Sequence, residues 1–253
     1  MKSTASIAII TGGSRGMGRD TALRLAQRGV SSIITYHSRQ EEADKVVSDI
    51  KKVGAQAAAL QLDVGKASSF PNFADSVRTT LAQMGADRFD YLVNNAGISS
   101  TATLADGTEA EMDAQFAVHF KGPFLLTQVL LPLMKDGGRI VNISSGLTRF
   151  SFPGRAIYGP MKAAVETLTR YMALELGPRG IAVNVVAPGA IATDFSGGVT
   201  RDDHEVNKAL ATRTALGRVG GPEDVGPVIA SLLTDAFGWV NGQRIEVTGG
   251  MNL

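Results

Sequence analysis

Short runs of nearly continuous apolar residues recur along the chain. Between them lie longer stretches in which apolar positions return every three or four residues. The runs at 6–10, 32–36, 57–62, 91–94, 139–143, 182–186 and 244–247 read as seven strands, because four to six consecutive apolar or β-branched residues suit a strand buried on both faces. The stretches 18–28, 41–53, 67–84, 109–134, 156–176 and 222–233 carry the helical period. Strand alternating with helix predicts a parallel sheet with helices on both sides, and right-handed crossovers make it an open, doubly wound α/β sheet. No composition shift, repeat or linker divides the sequence, so residues 1–253 read as a single domain. One segment, 195–216, breaks the rhythm with Gly, Thr and charge between the sixth strand and the last helix. It reads as a long surface loop or as a mobile lid over a site.

Composition narrows the function. With 44% hydrophobic and 19% charged residues, the 253-residue chain is ordinary globular material and long enough to bury a large core. Lys and Arg number 25 against 24 Asp and Glu, a balance that offers no electrostatic footprint for nucleic acid or an anionic membrane. Without cysteine there are no disulfides, thiolate nucleophiles, Fe–S clusters or Cys-bound zinc, and a cytoplasmic location is expected. His37, His119 and His204 are far apart, so no metal site is expected. The apolar run Ile7–Ile10 is too short for a signal-peptide core, and no stretch reaches the ~18 apolar residues of a membrane span.

The first strand runs into Thr11-Gly12-Gly13-Ser14-Arg15-Gly16-Met17-Gly18, and a helix follows at once. Glycines allow a tight turn and a close backbone approach to a phosphate, and the helix N-terminus turns free N–H groups toward that anion. This string resembles the TGxxxGxG loop of the short-chain dehydrogenase/reductase family. Further motifs follow in family order: Asn94-Asn95-Ala96-Gly97, Ile143-Ser144-Ser145, Tyr158-Gly159-Pro160-Met161-Lys162, Pro188-Gly189, and Gly242-Gln243 with Gly249-Gly250. The resemblance covers essentially the whole chain. It implies a single-domain Rossmann fold, a doubly wound seven-stranded parallel sheet flanked by helices, and an NADP(H)-dependent oxidoreductase similar to 3-oxoacyl-carrier-protein reductases.

Dinucleotide choice is read after the second strand, where an Asp or Glu would hold the ribose 2′-OH and repel a 2′-phosphate. Here stand Tyr36-His37-Ser38-Arg39, with no carboxylate until Glu41, and Arg15 lies in the glycine loop. Two arginines at the adenosine end suit a phosphate, so NADP(H) is expected. The resemblance adds Asp63 and Val64 as an adenine-contacting pair, although Asp63 also reads as a helix cap. It further places Asn95, Ala96 and Gly97 along the cofactor, with Asn95 mainly structural, and Thr193 after Pro188-Gly189 at the carboxamide. Ile191 lies in the same stretch.

Tyr158 and Lys162 are four residues apart on one face of an expected helix. A neighbouring ammonium favours tyrosinate and draws the phenol's pKa down from about 10, so this phenol can exchange a proton with a carbonyl or alcohol oxygen. Ser145 is thirteen residues upstream at a strand's carboxyl end. The family's catalytic Ser, Tyr and Lys share this spacing, which implies those roles for Ser145, Tyr158 and Lys162. Lys162 would also bond the nicotinamide ribose.

One position departs from the family. An Asn that kinks the helix before the fifth strand is here His119, whose imidazole donates, accepts and titrates near neutral pH. It reads either as a proton-path residue with its own pH response or as a hydrogen-bonded helix histidine. Pro160 places the helix start close to Tyr158. Leu147, Phe150, Phe152, Ile191, Phe195 and parts of 196–212 are expected to line an apolar substrate pocket for a hydrophobic ketone or 3-oxoacyl group. Ala164, Leu168 and Met172 form a helix face in need of cover, which points to a homotetramer first and a dimer second, with Trp239 and Met251-Asn252-Leu253 at another contact. Competing readings are a non-catalytic NADP(H) sensor, disfavoured by the intact Ser145, Tyr158 and Lys162, and a methyltransferase, disfavoured by Tyr36 and Arg39.

Overall fold

A computed structural model gives residues 5–234 and 237–253 of the chain. Seven strands, β1 (Ile7–Ile10), β2 (Ser31–Tyr36), β3 (Ala57–Gln61), β4 (Phe89–Asn94), β5 (Met134–Ile143), β6 (Ala182–Pro188) and β7 (Arg244–Val247), form one sheet in the order β3-β2-β1-β4-β5-β6-β7. Every neighbouring pair is parallel. The order reverses between β1 and β4, and this switch point opens a crevice at the carboxyl ends of the strands.

Both faces of the sheet are covered. In β1 the side chains alternate, Ile7 and Ile9 toward one core and Ala8 and Ile10 toward the other. The first core takes α3 (Phe70–Gln83), α5 (Gly122–Leu130) and the inner face of α6 (Tyr158–Leu176). The second takes α1 (Gly16–Ala26), α2 (Gln40–Lys52) and α9 (Pro222–Thr234). β6 is buried at all seven positions, which explains why its sequence shows no alternation.

Four expectations are corrected. The helix expected over 109–134 is broken: α4 (Glu109–Phe116) passes through a π-helical turn, Ala117–Lys121, into α5, and β5 already begins at Met134. Pro132 ends the helical run in a short 3-10 turn, because it cannot donate an N–H. By length and composition Glu109–Leu133 is apolar enough to cross a membrane, contrary to the sequence reading, but Leu126, Leu130 and Leu133 pack into the first core. The segment 195–216 is largely helical. It holds the 3-10 turn Phe195–Gly198, α7 (Val199–Asp202) and α8 (His204–Ala211), with the Asp203 carboxylate accepting from the N–H groups of Glu205 and Val206. Left-handed glycines at 197 and 198 interrupt the period that would have revealed these helices. Finally, Leu168 and Met172 of α6 are already buried in the core, and the exposed apolar residues on this helix are Tyr171 and Leu174.

Candidate active site

The glycine loop is a cradle built by backbone contacts. Gly12 and Gly16 have positive φ of 63° and 53°. A Cβ on Gly12 would come to 3.1 Å from the Ala96 Cα. The Asn95 side chain donates from Nδ2 to the carbonyls of Thr11 (2.8 Å) and Gly12 (3.1 Å), while Thr11 Oγ1 accepts from the N–H groups of Asn95 and Ala96. Asn95 therefore ties β4 to the loop, in keeping with a structural part. The first turn of α1 presents its N–H groups to the crevice with no side-chain cap, an arrangement suited to a phosphate.

These residues open onto a cleft of about 480 Å³. It is lined by the glycine loop, Tyr36 to Arg39, Asp63, Val64, Asn95 to Gly97, Ser145, Tyr158, Lys162, Pro188, Gly189, Ile191 and Thr193. Two expected site residues lie elsewhere. Gly18 does not line the cleft; it packs under the loop, where a Cβ would stand 2.4 Å from the Gly12 carbonyl oxygen. His119 is buried behind the wall, at 1% exposure, inside the π-helical turn. The expected pocket residues Leu147, Phe150, Phe152, Phe195 and Leu210 do line the cleft's other half.

At the adenosine end Arg15 pairs with Asp194 at 3.3 Å and Arg39 with Glu42 at 2.9 Å, all on the surface. Asp63 caps its own turn, accepting from the Gly65 N–H at 2.8 Å.

Ser145 begins a short 3-10 turn, Gly146–Thr148, its Oγ accepting from the Leu147 N–H. Tyr158 opens α6, with Pro160 in the first turn, where the missing N–H costs nothing. Lys162 Nζ lies 5.7 Å from the Tyr158 ring centroid and donates to the Ile143 carbonyl at 2.9 Å. Both side chains are buried, Tyr158 at 8% and Lys162 at 5% exposure. Burial pushes the phenol up to about 12, against the pull of the Ser145 hydroxyl and the Arg155 cation. Burial pushes the Lys162 ammonium down to about 7. The expected lowering of the tyrosine by its lysine is thus reversed, because desolvation of the buried phenol outweighs the pulls of Ser145 and Arg155. Phe195 covers the phenol from the helical segment, ring centroids 6.0 Å apart.

His119 stands edge-on to Tyr158, with ring centroids 5.4 Å apart. Its Nε2 bonds the Ile98 carbonyl at 2.8 Å, which places the proton on Nε2. Nδ1 is a buried acceptor without a partner among the described residues. Burial, and then the Lys162 charge, push this imidazole down to about 2. It stays neutral at physiological pH, and the expectation that it titrates near neutrality is corrected.

Behind the cleft lie polar contacts whose partners the sequence did not reveal. Asn94 Nδ2 donates to Asn142 Oδ1 at 2.8 Å, and Asn142 Nδ2 to Thr169 Oγ1 at 2.9 Å, a buried ladder joining β4, β5 and α6. Ser144 and Thr148 both donate to Glu166, which Arg244 meets at 2.8 Å, so the loop carrying Ser145 is fastened to α6 and β7. Arg155 was missed as well. Only the apolar identity of their neighbours could have hinted at them.

A glycine-rich phosphate cradle, a long cleft at the switch point and a buried phenol–ammonium pair at its floor define a dinucleotide-dependent oxidoreductase. Residues 12–252 match the sequence model of a family described as enoyl-(acyl carrier protein) reductase. Versicolorin reductase stcU of Emericella nidulans is 36% identical over 257 residues, covering 96% of this chain and 94% of that protein. Among solved structures, the promiscuous reductase LugOII, which catalyses keto-reduction at C1 in lugdunomycin biosynthesis, superposes with TM-score 0.93 and 38% identity over 99% of both chains. The landomycin C-6 ketoreductase LanV with bound NADP and rabelomycin superposes with TM-score 0.89 and 32% identity, over 98% of this chain and 97% of that one. The chain belongs to the short-chain dehydrogenase/reductase family.

Proposed function

We propose that the protein is an NADPH-dependent carbonyl reductase acting on a polycyclic aromatic ketone. The observation that carries this reading is the buried Tyr158–Lys162 pair with Ser145 in the same cleft as the glycine loop. When bound, the dinucleotide supplies the hydride that reduces the carbonyl carbon. The Gly12–Gly16 cradle and the start of α1 would hold its diphosphate, Thr193 the carboxamide, and Lys162 the nicotinamide ribose. Arg15 and Arg39 would exchange Asp194 and Glu42 for the 2′-phosphate. Ser145 hydrogen-bonds the substrate oxygen, and Tyr158, kept protonated by its burial, delivers its phenol proton to that oxygen. The Lys162 ammonium then faces the phenolate left behind and stabilises it. Phe195 and the segment 195–216 act as a lid that excludes water.

The apolar walls suit a flat, fused-ring ketone, and the similarity to versicolorin reductase and to the ketoreductase LanV with bound rabelomycin supports the same substrate class. The test is NADPH consumption against bicyclic and polycyclic ketones, 3-oxoacyl thioesters and aldehydes, repeated with NADH. The expected result is turnover of fused-ring ketones with NADPH, and an Arg15→Ala/Arg39→Ala double variant that loses roughly tenfold or more of its preference for NADPH over NADH. Tight NADPH binding without turnover of any carbonyl would instead favour a dinucleotide sensor.

A further inference from the structure

The substrate half of the cleft is lined mainly by apolar side chains together with the hydroxyls of Ser145, Tyr158, Ser196 and Thr200, and Arg155, on the turn that leads into α6, adds a guanidinium to it. It stands at the junction between the cleft and a side depression of about 310 Å³ lined by Thr103, Leu104 and Phe152. Three residues before Tyr158, it lies close enough for its charge to act on the phenol. Its one hydrogen bond among the described residues runs from Nη1 to the Ser100 carbonyl at 2.5 Å. Arg15 and Arg39, at the cofactor end, each hold a carboxylate; Arg155 has none within ion-pair distance among the described residues.

A half-buried guanidinium in a cleft that Leu147, Phe150 and Phe195 also line gives up hydration that one backbone carbonyl does not replace. Its remaining donors form a planar fork suited to an oxyanion, in surroundings of low polarity where a charge pair gains strength. The same plane also stacks on aromatic rings. We infer that Arg155 is a specificity-determining residue that grips an anionic oxygen of the substrate, so that the preferred ketone carries an acidic group, a carboxylate or an ionised phenol, on its ring system. This rests on the carbonyl-reductase reading above. Because Arg155 lies close enough to Tyr158 for its charge to act on the phenol, the acidic group lies near the reacting carbonyl.

The test compares uncharged 2-tetralone with 2-tetralones bearing a carboxylate, and with hydroxylated 2-tetralones assayed above and below the ionisation of their phenol. The wild type should show a KM for the best-placed carboxylate probe roughly tenfold below that of 2-tetralone. Phenolic probes should gain the same advantage only when ionised. Arg155→Gln should raise KM roughly tenfold for the anionic probes alone, while lowering kcat by one common factor for all probes, because the same cation faces Tyr158. Arg155→Lys should recover part of the KM effect. Equal KM changes for neutral and anionic probes, or none, would overturn the inference and mark Arg155 as a support for the Ser100 loop. If the wild type reduces none of these ketones, calorimetric titration of the carboxylate probes into the NADP⁺-saturated protein separates the two ideas. Binding lost in Arg155→Gln keeps the anion site while the reductase reading fails; equal binding by both proteins overturns the anion site.

Discussion

His119, behind the cleft, and Lys162, at its floor, are both buried, and each is held away from its charged form. The unfolded chain takes up a proton at His119 below its ordinary value of 6.5, whereas the folded protein does so only near about 2. Stability is therefore lost as pH falls through this window, amounting to about 2 kcal/mol by pH 5 from this one ring. Lys162 acts in the same direction higher up: between about 7 and 10.5 the unfolded chain binds the extra proton, so stability rises with pH there. Chemical denaturation from pH 7 to 5 should show His119→Asn losing about 2 kcal/mol less than the wild type; parallel losses would mean the ring is not held neutral. At this scale the spacing of Ser145, Tyr158 and Lys162 was legible, because a helix and a strand end fix where such side chains go. The pairing of Arg15 with Asp194, and the lack of a carboxylate partner for Arg155 among the described residues, were not, since both depend on which distant loops meet.

Glycine loops act as units, and Gly18 illustrates this. It touches neither the cleft nor the expected phosphate, yet a Cβ there would meet the Gly12 carbonyl at 2.4 Å and Asn95 Nδ2 at 2.6 Å, neither of which can give way freely. Gly18→Ala is expected to lower the melting temperature by several degrees and to weaken NADPH binding roughly tenfold or more, read by thermal unfolding and by titration of the cofactor's fluorescence. A variant with wild-type affinity would show that the cradle is not fixed by this contact. Among the elements, strands buried on both faces were the most legible, because continuous apolar runs leave few alternatives. The helical pair α7–α8 was hidden by left-handed Gly197 and Gly198, and the break at 117–121 by an unbroken apolar period, since a π-turn inserts one residue without changing composition.

Across the whole molecule, apolar side chains remain uncovered on two faces. Met112, Phe116, Phe124, Tyr171 and Leu174 are exposed on α4 to α6, and Trp239, the chain's single tryptophan, is fully exposed beyond α9. Self-association that covers both faces is expected: sedimentation should give a mass near four times 26.5 kDa, with Trp239 protected from a soluble quencher. Tyr171→Asp/Leu174→Asp should shift the mass downward, and a 26.5 kDa species at all concentrations would contradict the expectation. In the proposed reaction a cleft built from β1, β4, β5 and α6 brings one buried phenol to a substrate carbonyl. Single-turnover reduction of a fused-ring ketone by NADPH in the wild type and in Tyr158→Phe, with cofactor affinity measured in parallel, tests this step. Intact NADPH binding and a hydride-transfer rate lower by about 10²-fold to 10⁴-fold in the variant are expected. A Tyr158→Phe protein that reduces the ketone at the wild-type rate would contradict this step.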